Sequence, residues 1–347
     1  MTRKTPRDLA ASVRQRLLNK AREEGRPFGE LSRHFAMERF LYRFSRSPHA
    51  RRFVLKGALM FMVWRAPRSR PTMDIDLASL GACDGEEIRS LIRTCCLQPV
   101  EPDGLGFDPA SLSSAAVLEQ ARYVGLRCRL SGALGVERVS VQIDVAAGSP
   151  GEQPSLVAYP TLLDQPAPRL LGCSREVAVT EKLHAIISRG EINTRLKDFY
   201  DPWLLSRHFR FDGEALLRAA RSVFRERETA ISGSPIGLTA PFGSDPVRQA
   251  QWVSFVRKRL LEGAPREFVE VVGLVAGFLG PLVESLCERE LLEGVWFPGG
   301  PWRTIQPPML REPLAVWVDA PIVELPPLDS LSDKSASSPR QVNGGDS

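Results

Sequence analysis

Two aspartates separated by a single residue constrain this chain more than any other feature. Asp74 and Asp76 follow an apolar segment that ends at Lys56-Gly57. Successive side chains of a β-strand point to opposite faces, so the two carboxylates share one face and Ile75 lies on the other. Because adjacent carboxylates repel, a cation that prefers hard oxygen ligands, typically Mg²⁺, stabilises them. Gly57 lets the backbone approach a bulky group such as a phosphate, and the stretch therefore indicates a phosphate-binding metal site.

An isolated Asp-x-Asp pattern is common and often only caps a strand or faces water. A third carboxylate bears on this alternative. Residues 122–130 and 139–145 alternate apolar and polar side chains around a predicted turn at residues 131–135, which is typical of a hairpin. Asp144 lies on the polar face of the second strand. The sequence leaves open whether it is a third carboxylate beside the Asp-x-Asp or a strand-end cap.

Positive charge is concentrated in the first 70 residues, which hold 18 Lys and Arg but only five Asp and Glu. The whole chain has a net charge of only +5, so the remainder is acidic. Such asymmetry is typical of a protein with a polyanionic partner, RNA or DNA. Solvated faces of ordinary surface helices are the equally acceptable explanation.

The composition excludes several other classes of protein. With 347 residues, 43% of them hydrophobic, the chain can bury a large core in two domains or one elaborated domain. Six scattered cysteines without a Cys-x-x-Cys pattern predict free thiols in a reducing cytoplasm rather than a zinc framework. No signal peptide is visible at the start of the chain, and the longest apolar run, residues 271–283, is too short to span a bilayer. We therefore expect a cytoplasmic protein without a membrane partner.

Apolar residues at helical spacing predict most of the remaining structure. The predicted helices cover residues 6–24, 28–44, 85–97, 176–189, 194–206, 214–229 and 245–261, followed by a long helix that ends near residue 292. The Pro- and Gly-rich residues 99–109 are predicted to form a loop. Pro and Ser are enriched from residue 306 onward, which predicts an extended or disordered tail.

Two of the predicted helices carry charged residues that could reach a cleft. Lys182 lies beside the apolar stripe of its helix, so its stem can be buried while its amine extends outward. On the next helix, Arg195 and Asp198 are spaced i,i+3, and Lys197 and Asp201 are spaced i,i+4, as in helical ion pairs. For Lys182 and Asp198, an ion pair between the two helices is the alternative to a role in ligand binding.

Four separated stretches resemble the AbiEii/AbiGii-type nucleotidyltransferase toxins of bacterial toxin–antitoxin and phage-defence systems, a branch of the DNA polymerase β-like nucleotidyltransferase fold. They are Phe53-Val-Leu-Lys-Gly57 with Thr72-x-Asp74-Ile-Asp76-Leu77, Ile143-Asp144-Val145, Glu181-Lys182-Leu183, and Arg195-x-Lys197-Asp198-Phe199-Tyr200-Asp201. Residues 237–252 also look like the helical half of these proteins. The resemblance extends over roughly residues 40–300.

Two positions depart from the family pattern. The residue after Gly57, often Gly or Ser in the family, is Ala58 here, so a hydroxyl that could bind phosphate is lost. The position before Ile143, often basic in relatives, is Gln142. Neither departure removes a carboxylate, and both bear on the affinity for the nucleotide more than on the chemistry.

The resemblance implies an α+β fold with a polymerase β-like core, a small mixed sheet flanked by helices, followed by a mostly helical C-terminal part. The implied division is basic N-terminal helices in residues 1–50, a nucleotidyltransferase core in 51–170, a helical domain that completes the cleft in 171–300, and the tail in 306–347.

The resemblance also implies the site. Its metal ligands are Asp74, Asp76 and Asp144. Its catalytic residues are these three together with Lys182 and Asp198. Its nucleotide-binding residues are Lys56, Gly57, Ala58, Thr72, Lys182, Arg195 and Lys197.

The implied activity is Mg²⁺-dependent transfer of a nucleoside monophosphate from an NTP to an acceptor. In several relatives this acceptor is the 3′ end of tRNA. The basic first 70 residues are expected to hold such an RNA. A cognate antitoxin encoded nearby is the expected partner. The alternatives are a transferase that acts on a protein hydroxyl or a small molecule, an inactive nucleotide- or RNA-binding module, and a housekeeping tRNA-processing enzyme.

Overall fold

A mixed seven-stranded sheet carries the Asp-x-Asp pattern. The computed structural model describes residues 6–67, 70–119, 122–146, 154–231, 233–261 and 263–304. The strands of this sheet are β1 (Phe53–Lys56), β2 (Asp74–Ser79), β3 (Leu105–Glu119), β4 (Arg122–Leu134), β5 (Glu137–Ala146), β6 (Ser155–Ala158) and β7 (Arg169–Gly172). They lie side by side in the order β3-β4-β5-β2-β1-β7-β6. A small second sheet contains β8 (Phe211–Asp212), β9 (Val295–Trp296) and β10 (Trp302–Arg303).

The α-helices lie before, between and after these strands. They are α1 (Pro6–Glu24), α2 (Phe28–Arg46), α3 (Leu59–Val63), α4 (Gly85–Leu97), α5 (Arg175–Arg189), α6 (Lys197–His208), α7 (Gly213–Glu226), α8 (Ala240–Gly243), α9 (Pro246–Arg259) and α10 (Phe268–Glu288). Short side chains cap several of them, as expected for Asp and Ser before a first turn. Asp84 accepts a hydrogen bond from the backbone of Glu87, and Ser174 accepts one from Val177.

Strand β2 lies in the middle of the sheet and determines where the aspartates point. It is antiparallel to β1, with Lys56 opposite Asp76, and parallel to β5, with Asp76 opposite Asp144. The alternate residues Ile75 and Ile143 are fully buried on the other face, where the sheet packs on α1, α2 and α4. Burial of each such side chain contributes about 1.5–3 kcal/mol, and a one-residue slip would expose all of them.

The predicted hairpin is confirmed and is longer than predicted. Residues 131–134 continue β4 instead of forming the turn, which lies at Gly135 and Val136. The predicted loop at residues 99–109 is wrong in its second half, because β3 begins at Leu105 and pairs with β4. Ladder hydrogen bonds along the whole length of β4 outweigh the turn preference of the Pro and Gly in this segment.

The second half of the chain forms a separate helical core. Its buried side chains come mainly from α5, α6, α7 and α10. The apolar run of residues 271–283 alone is too short to cross a membrane, but helix α10 extends it at both ends and is long and apolar enough by length and composition. Its buried residues, among them Val275, Phe278 and Leu282, lie at the centre of this core, which accounts for its apolar character.

The predicted α+β architecture, a mixed sheet flanked by helices and followed by a helical part, is therefore confirmed. The described residues within 1–305 group into one compact unit. The subdivision of that unit near residues 50 and 170 stays a prediction. The predicted tail, residues 306–347, lies outside the described residues.

Candidate functional site

Three carboxylates converge where β2 and β5 lie side by side. Asp74, Asp76 and Asp144 are half-buried, and each offers an oxygen that lies within 4.8 Å of those of the other two. The parallel register puts Asp144 directly beside Asp76. Asp74, two residues earlier in β2, lies on the same face as Asp76. Of the two roles that the sequence left open for Asp144, the geometry agrees with the third carboxylate. Thr72 donates a hydrogen bond to Asp74 over 3.1 Å and orients it.

Gly57 makes room for one of these carboxylates. Its φ of +70° favours glycine, and a Cβ atom at this position would lie 2.1 Å from Oδ2 of Asp76. The space above Gly57 is thus taken by the aspartate side chain. Ala58 is buried next to it and lines the same cleft.

The concentration of negative charge affects protonation. Burial raises the pKa of Asp76 to about 6, and the neighbouring Asp74 carboxylate adds to this effect. Lys56 and Lys197 act in the opposite direction. A divalent cation among the three carboxylates would relieve the repulsion, and its preferred ligands are carboxylate oxygens of this kind. The residues present therefore fit a Mg²⁺ ion.

Asp144 already has a cationic neighbour. Arg127, directly opposite on β4, donates to both of its carboxylate oxygens, over 2.9 Å to Oδ1 and 2.6 Å to Oδ2. The Arg127 side chain is 45% exposed, so it can move away from the carboxylate at small cost. Gln142 lies within 3.5 Å of the same carboxylate.

A cleft of about 190 Å³ opens beside the carboxylates, between the sheet and helices α5 and α6. Lys56 at the end of β1 donates to Glu181 of α5 over 2.8 Å. Arg227, just after α7, donates to the same Glu181 oxygen over 3.2 Å. Although burial opposes ionisation, the Lys56 and Arg227 charges lower the pKa of Glu181 to about 2. Glu181 thus stays ionised and holds Lys56 in place.

A second ionic network forms the opposite wall of the cleft. Lys182 contacts Asp198 and Asp201, each over 3.2 Å. Arg70 donates two hydrogen bonds to Asp201, over 2.9 and 3.0 Å, and both side chains are buried. Burial opposes the charge of Lys182, but Asp201 and Asp198 raise its pKa. The ion pair between helices, which the sequence offered as the alternative for Lys182 and Asp198, is thus present.

The two predicted ion pairs within α6 and its start have different outcomes. Arg195 contacts Asp198 over 3.2 Å, as predicted from their spacing. Asp201 pairs with Arg70 and Lys182 instead of Lys197, so that prediction is wrong. Within the described residues Lys197 has no ion pair and no side-chain hydrogen bond. Burial, together with the neighbouring cations, lowers its pKa, and it lines the cleft.

Every residue that the sequence predicted for the site, with the exception of Thr72 and Asp144, lines the cleft directly. Thr72 and Asp144 contact or adjoin the aspartates that do. Sequence reasoning assigned no role to four charged residues that belong to the same networks, namely Arg70, Arg127, Glu181 and Arg227. For Arg127, the alternation of polar residues along the predicted hairpin was a usable signal. The other three form contacts between residues distant in sequence, and of these only Glu181 had a signal, because it belongs to the stretch Glu181-Lys182-Leu183 that resembles the family.

Comparison with known proteins places the chain in a family. A family model described as "Nucleotidyl transferase AbiEii toxin, Type IV TA system" matches residues 39–273. No curated protein matches the chain. Among solved structures, the chain is similar to JHP933 from Helicobacter pylori, with 12% sequence identity and a TM-score of 0.46 over 75% of this chain and 95% of that one. It is also similar to a candidate nucleotidyltransferase from H. pylori, with 14% identity and a TM-score of 0.42 over 74% of this chain and 96% of that one.

The matched region contains the three carboxylates and the whole lining of the cleft, and it puts the chain among the nucleotidyltransferases. Within that class, the chain belongs to the AbiEii toxin family of type IV toxin–antitoxin systems. The resemblance inferred from the sequence is therefore confirmed.

Proposed function

We propose that this chain transfers a nucleoside monophosphate from an NTP to a hydroxyl of an acceptor and releases pyrophosphate. The observation that carries the proposal is the convergence of Asp74, Asp76 and Asp144 beside a cleft lined by lysines and arginines. Carboxylates suit a divalent cation, and cations suit a triphosphate. Both halves of a metal–nucleotide complex thus have complementary groups on adjacent walls.

The three aspartates would hold Mg²⁺, which when bound neutralises charge on the phosphates during an in-line displacement. The side chains around them position the aspartates, and one of the aspartates accepts a proton. Thr72 keeps Asp74 oriented, and Gly57 keeps space for Asp76. The acceptor oxygen forms a bond to the α-phosphorus as the bond to pyrophosphate breaks. Asp144 accepts the proton of the acceptor hydroxyl when Arg127 has moved away.

The lysines of the cleft divide the binding of the triphosphate. Lys197 has no carboxylate partner among the described residues, so its charge is available to a phosphate. Lys56 is oriented by Glu181 and lies opposite Asp76. Lys182 is held by Asp198 and Asp201, which fix it at the wall of the cleft. The buried Asp198 therefore acts as a positioning residue for Lys182 and Arg195.

For the acceptor we propose the 3′ end of tRNA, and for the partner an antitoxin encoded nearby. Membership of a type IV toxin–antitoxin family supports the antitoxin. The excess of cations lining the cleft supports a polyanionic acceptor over a neutral small molecule. A protein hydroxyl remains the competing acceptor, and the labelled product distinguishes the two.

The test is incubation of the protein with total tRNA, Mg²⁺ and each α-labelled NTP in turn. We expect label in tRNA with wild type and a loss of at least about 100-fold in Asp76→Asn, because the electrostatic support of the transferred phosphate is removed. Asp164→Asn, a change at an exposed aspartate, is the control and should retain activity. Thermal melts of both variants establish that they fold.

Label in protein instead of RNA would select the alternative in which the acceptor is a protein hydroxyl. Absence of label in any RNA or protein would overturn the proposal. Full activity in Asp76→Asn would show that the three carboxylates do not carry the reaction.

A further inference from the structure

A second pocket adjoins the cleft between the start of α6 and the C-terminal part of α9. It has a volume of about 150 Å³. We call it the side pocket, and it is lined by Arg70, Thr194, Arg195, Leu196, Lys197, Phe255 and Arg259. The side chains of Arg70, Arg195 and Lys197 line both the side pocket and the cleft. The two spaces are therefore neighbours separated by cationic side chains.

The side pocket has an uncompensated positive charge. Four of its lining residues are cationic, and in the described part of the chain no carboxylate lines it. Arg70 and Arg195 are paired with Asp201 and Asp198 behind them. Lys197 and Arg259 have no ion pair among the described residues. Arg259 donates one hydrogen bond to the carbonyl of Pro71 over 3.1 Å, which fixes its position but not its charge. An anion is the ligand that this lining favours.

The positive surface continues beyond the pocket. Arg257 and Lys258 precede Arg259 in the last turn of α9, and both are exposed. In the basic first 70 residues, ion pairs between described residues involve nine of the 18 cations. The paired cations are Arg14, Arg16, Lys20, Arg26, Arg39, Arg43, Arg52, Lys56 and Arg70. Arg22, Arg46 and Arg51 are exposed and have no ion pair among the described residues, so available positive charge lies around the end of α9 and also in the first 70 residues.

Phe255 adds an aromatic surface to this pocket. Its ring packs on Tyr200 and Trp252, and the guanidinium of Arg259 lies 5.9 Å from its centre. A partly exposed aromatic ring beside arginines is the combination on which unpaired bases and their phosphates bind in single-stranded nucleic acids. Neither pyrophosphate nor the triphosphate of an NTP has an aromatic group that could stack on the ring.

We infer that the side pocket binds the nucleotide next to the reacting end of a single-stranded polynucleotide acceptor, with its phosphate on Arg259 and its base or ribose on Phe255. The inference rests on the proposed function, since it specifies the acceptor of that site. It adds acceptor contacts on α9 to those expected of the first 70 residues.

The test measures binding directly and does not depend on transfer. A short fluorescently labelled single-stranded RNA is titrated with wild type, Arg259→Ala, Arg259→Lys and Phe255→Leu at several salt concentrations, and its anisotropy is followed. Each NTP with Mg²⁺ is titrated separately by calorimetry. Arg93→Ala is the matched control, because it removes an exposed arginine of α4 outside both pockets.

We expect Arg259→Ala and Phe255→Leu to weaken RNA binding about tenfold while NTP affinity changes less than about twofold. Arg259→Ala should also reduce the slope of log affinity against log salt by about 0.7, the value for one phosphate contact in a single strand. Arg259→Lys should keep most of the RNA affinity, which separates loss of charge from loss of folding.

Equal weakening of NTP binding would overturn the inference and assign the pocket to the nucleotide. Unchanged RNA binding in Arg259→Ala, or no RNA binding by wild type, would also overturn it. RNA binding that depends on Arg259 without any transfer would support the side pocket while contradicting the proposed function. Transfer to RNA that is unchanged in both Arg259→Ala and Phe255→Leu would support the proposed function while contradicting the role of the side pocket.

Discussion

At the scale of single residues, the site depends on Gly57, because a side chain at this position would occupy the space of a carboxylate. Gly57→Ala would put a Cβ atom 2.1 Å from Asp76 Oδ2 and would strain a backbone with φ of +70°. Because the carboxylate must then move, we expect transfer to fall by at least about 100-fold and stability to fall by about 1–3 kcal/mol. Urea denaturation and labelling of the acceptor measure the two effects separately.

Gly25→Ala is the matched control for this change. Gly25 has a similar φ of +64°, but a Cβ atom there meets nothing within 4 Å. The backbone strain is thus reproduced without the clash, and activity should remain. If both variants lost activity alike, strain or general destabilisation would explain the loss, and the contact with Asp76 would not.

Residue patterns in the sequence were sufficient to predict the carboxylates but not the groups that hold the cations. Asp74 and Asp76 share a face because strands alternate, a rule that acts over two residues. The pair of Arg70 and Asp201 joins residues that lie 131 positions apart, and only the folded chain brings them together. Asp201 was assigned to Lys197 because helical spacing was the only available information.

At the scale of elements, strand β5 carries a candidate metal ligand, and the adjacent strand β4 carries an arginine that competes with a metal ion for it. Arg127 on β4 occupies both oxygens of Asp144 on β5. Since a metal ion must displace this guanidinium, Arg127→Ala should raise the affinity for Mg²⁺. The Arg127 side chain is 45% exposed, so the ion pair contributes at most about 1 kcal/mol, which corresponds to about a fivefold change. The Mg²⁺ concentration that gives half-maximal activity measures it.

Arg129→Ala is the comparison for this change. Arg129 is exposed on the same face of β4 but lies opposite Gln142 instead of a carboxylate. The Mg²⁺ requirement should therefore stay the same in Arg129→Ala. An equal shift in both variants would indicate a general effect of removing positive charge from the sheet.

Elements were predictable where a pattern of buried residues was strong and local. The strands of the hairpin alternate regularly, and the helices repeat their apolar residues, so their presence was correctly predicted. Strand β3 was missed because its residues, LGFDPASLSSAAVLE, contain Pro, Gly and three Ser and alternate poorly. Pairing with β4 determines its structure, with a register shift between Asp108 and Ser113 that accommodates Pro109.

At the scale of the whole molecule, the cleft lies where two hydrophobic cores meet. One core joins the sheet to α1, α2 and α4, and the other is formed mainly by the helices from α5 through α10. Polar groups that face each other across this junction have to be paired, because burial of an unpaired charge is costly. Glu181 does this for the two halves: it accepts hydrogen bonds from Lys56 of the sheet and from Arg227 after α7.

Glu181→Gln tests this connection through its dependence on pH. The pKa of Glu181 is lowered from 4.5 to about 2, because Lys56 and Arg227 outweigh the opposing effect of burial. A carboxyl group with a lowered pKa in the folded protein stabilises it fully above pH 4.5 and loses that contribution as the pH falls toward 2. We therefore expect Glu181→Gln to lower the free energy of unfolding by on the order of 2 kcal/mol at pH 7.

The difference between wild type and Glu181→Gln should then shrink between pH 4.5 and pH 3, because the wild-type carboxyl begins to lose its advantage over the amide there. Urea denaturation at pH 7, 5 and 3 measures it. Glu214→Gln, which disrupts an exposed ion pair with Arg218, should change stability by less than about 0.5 kcal/mol throughout. A difference for Glu181→Gln that did not vary with pH would mean that the shape of the side chain, and not its charge, joins the sheet to the helices.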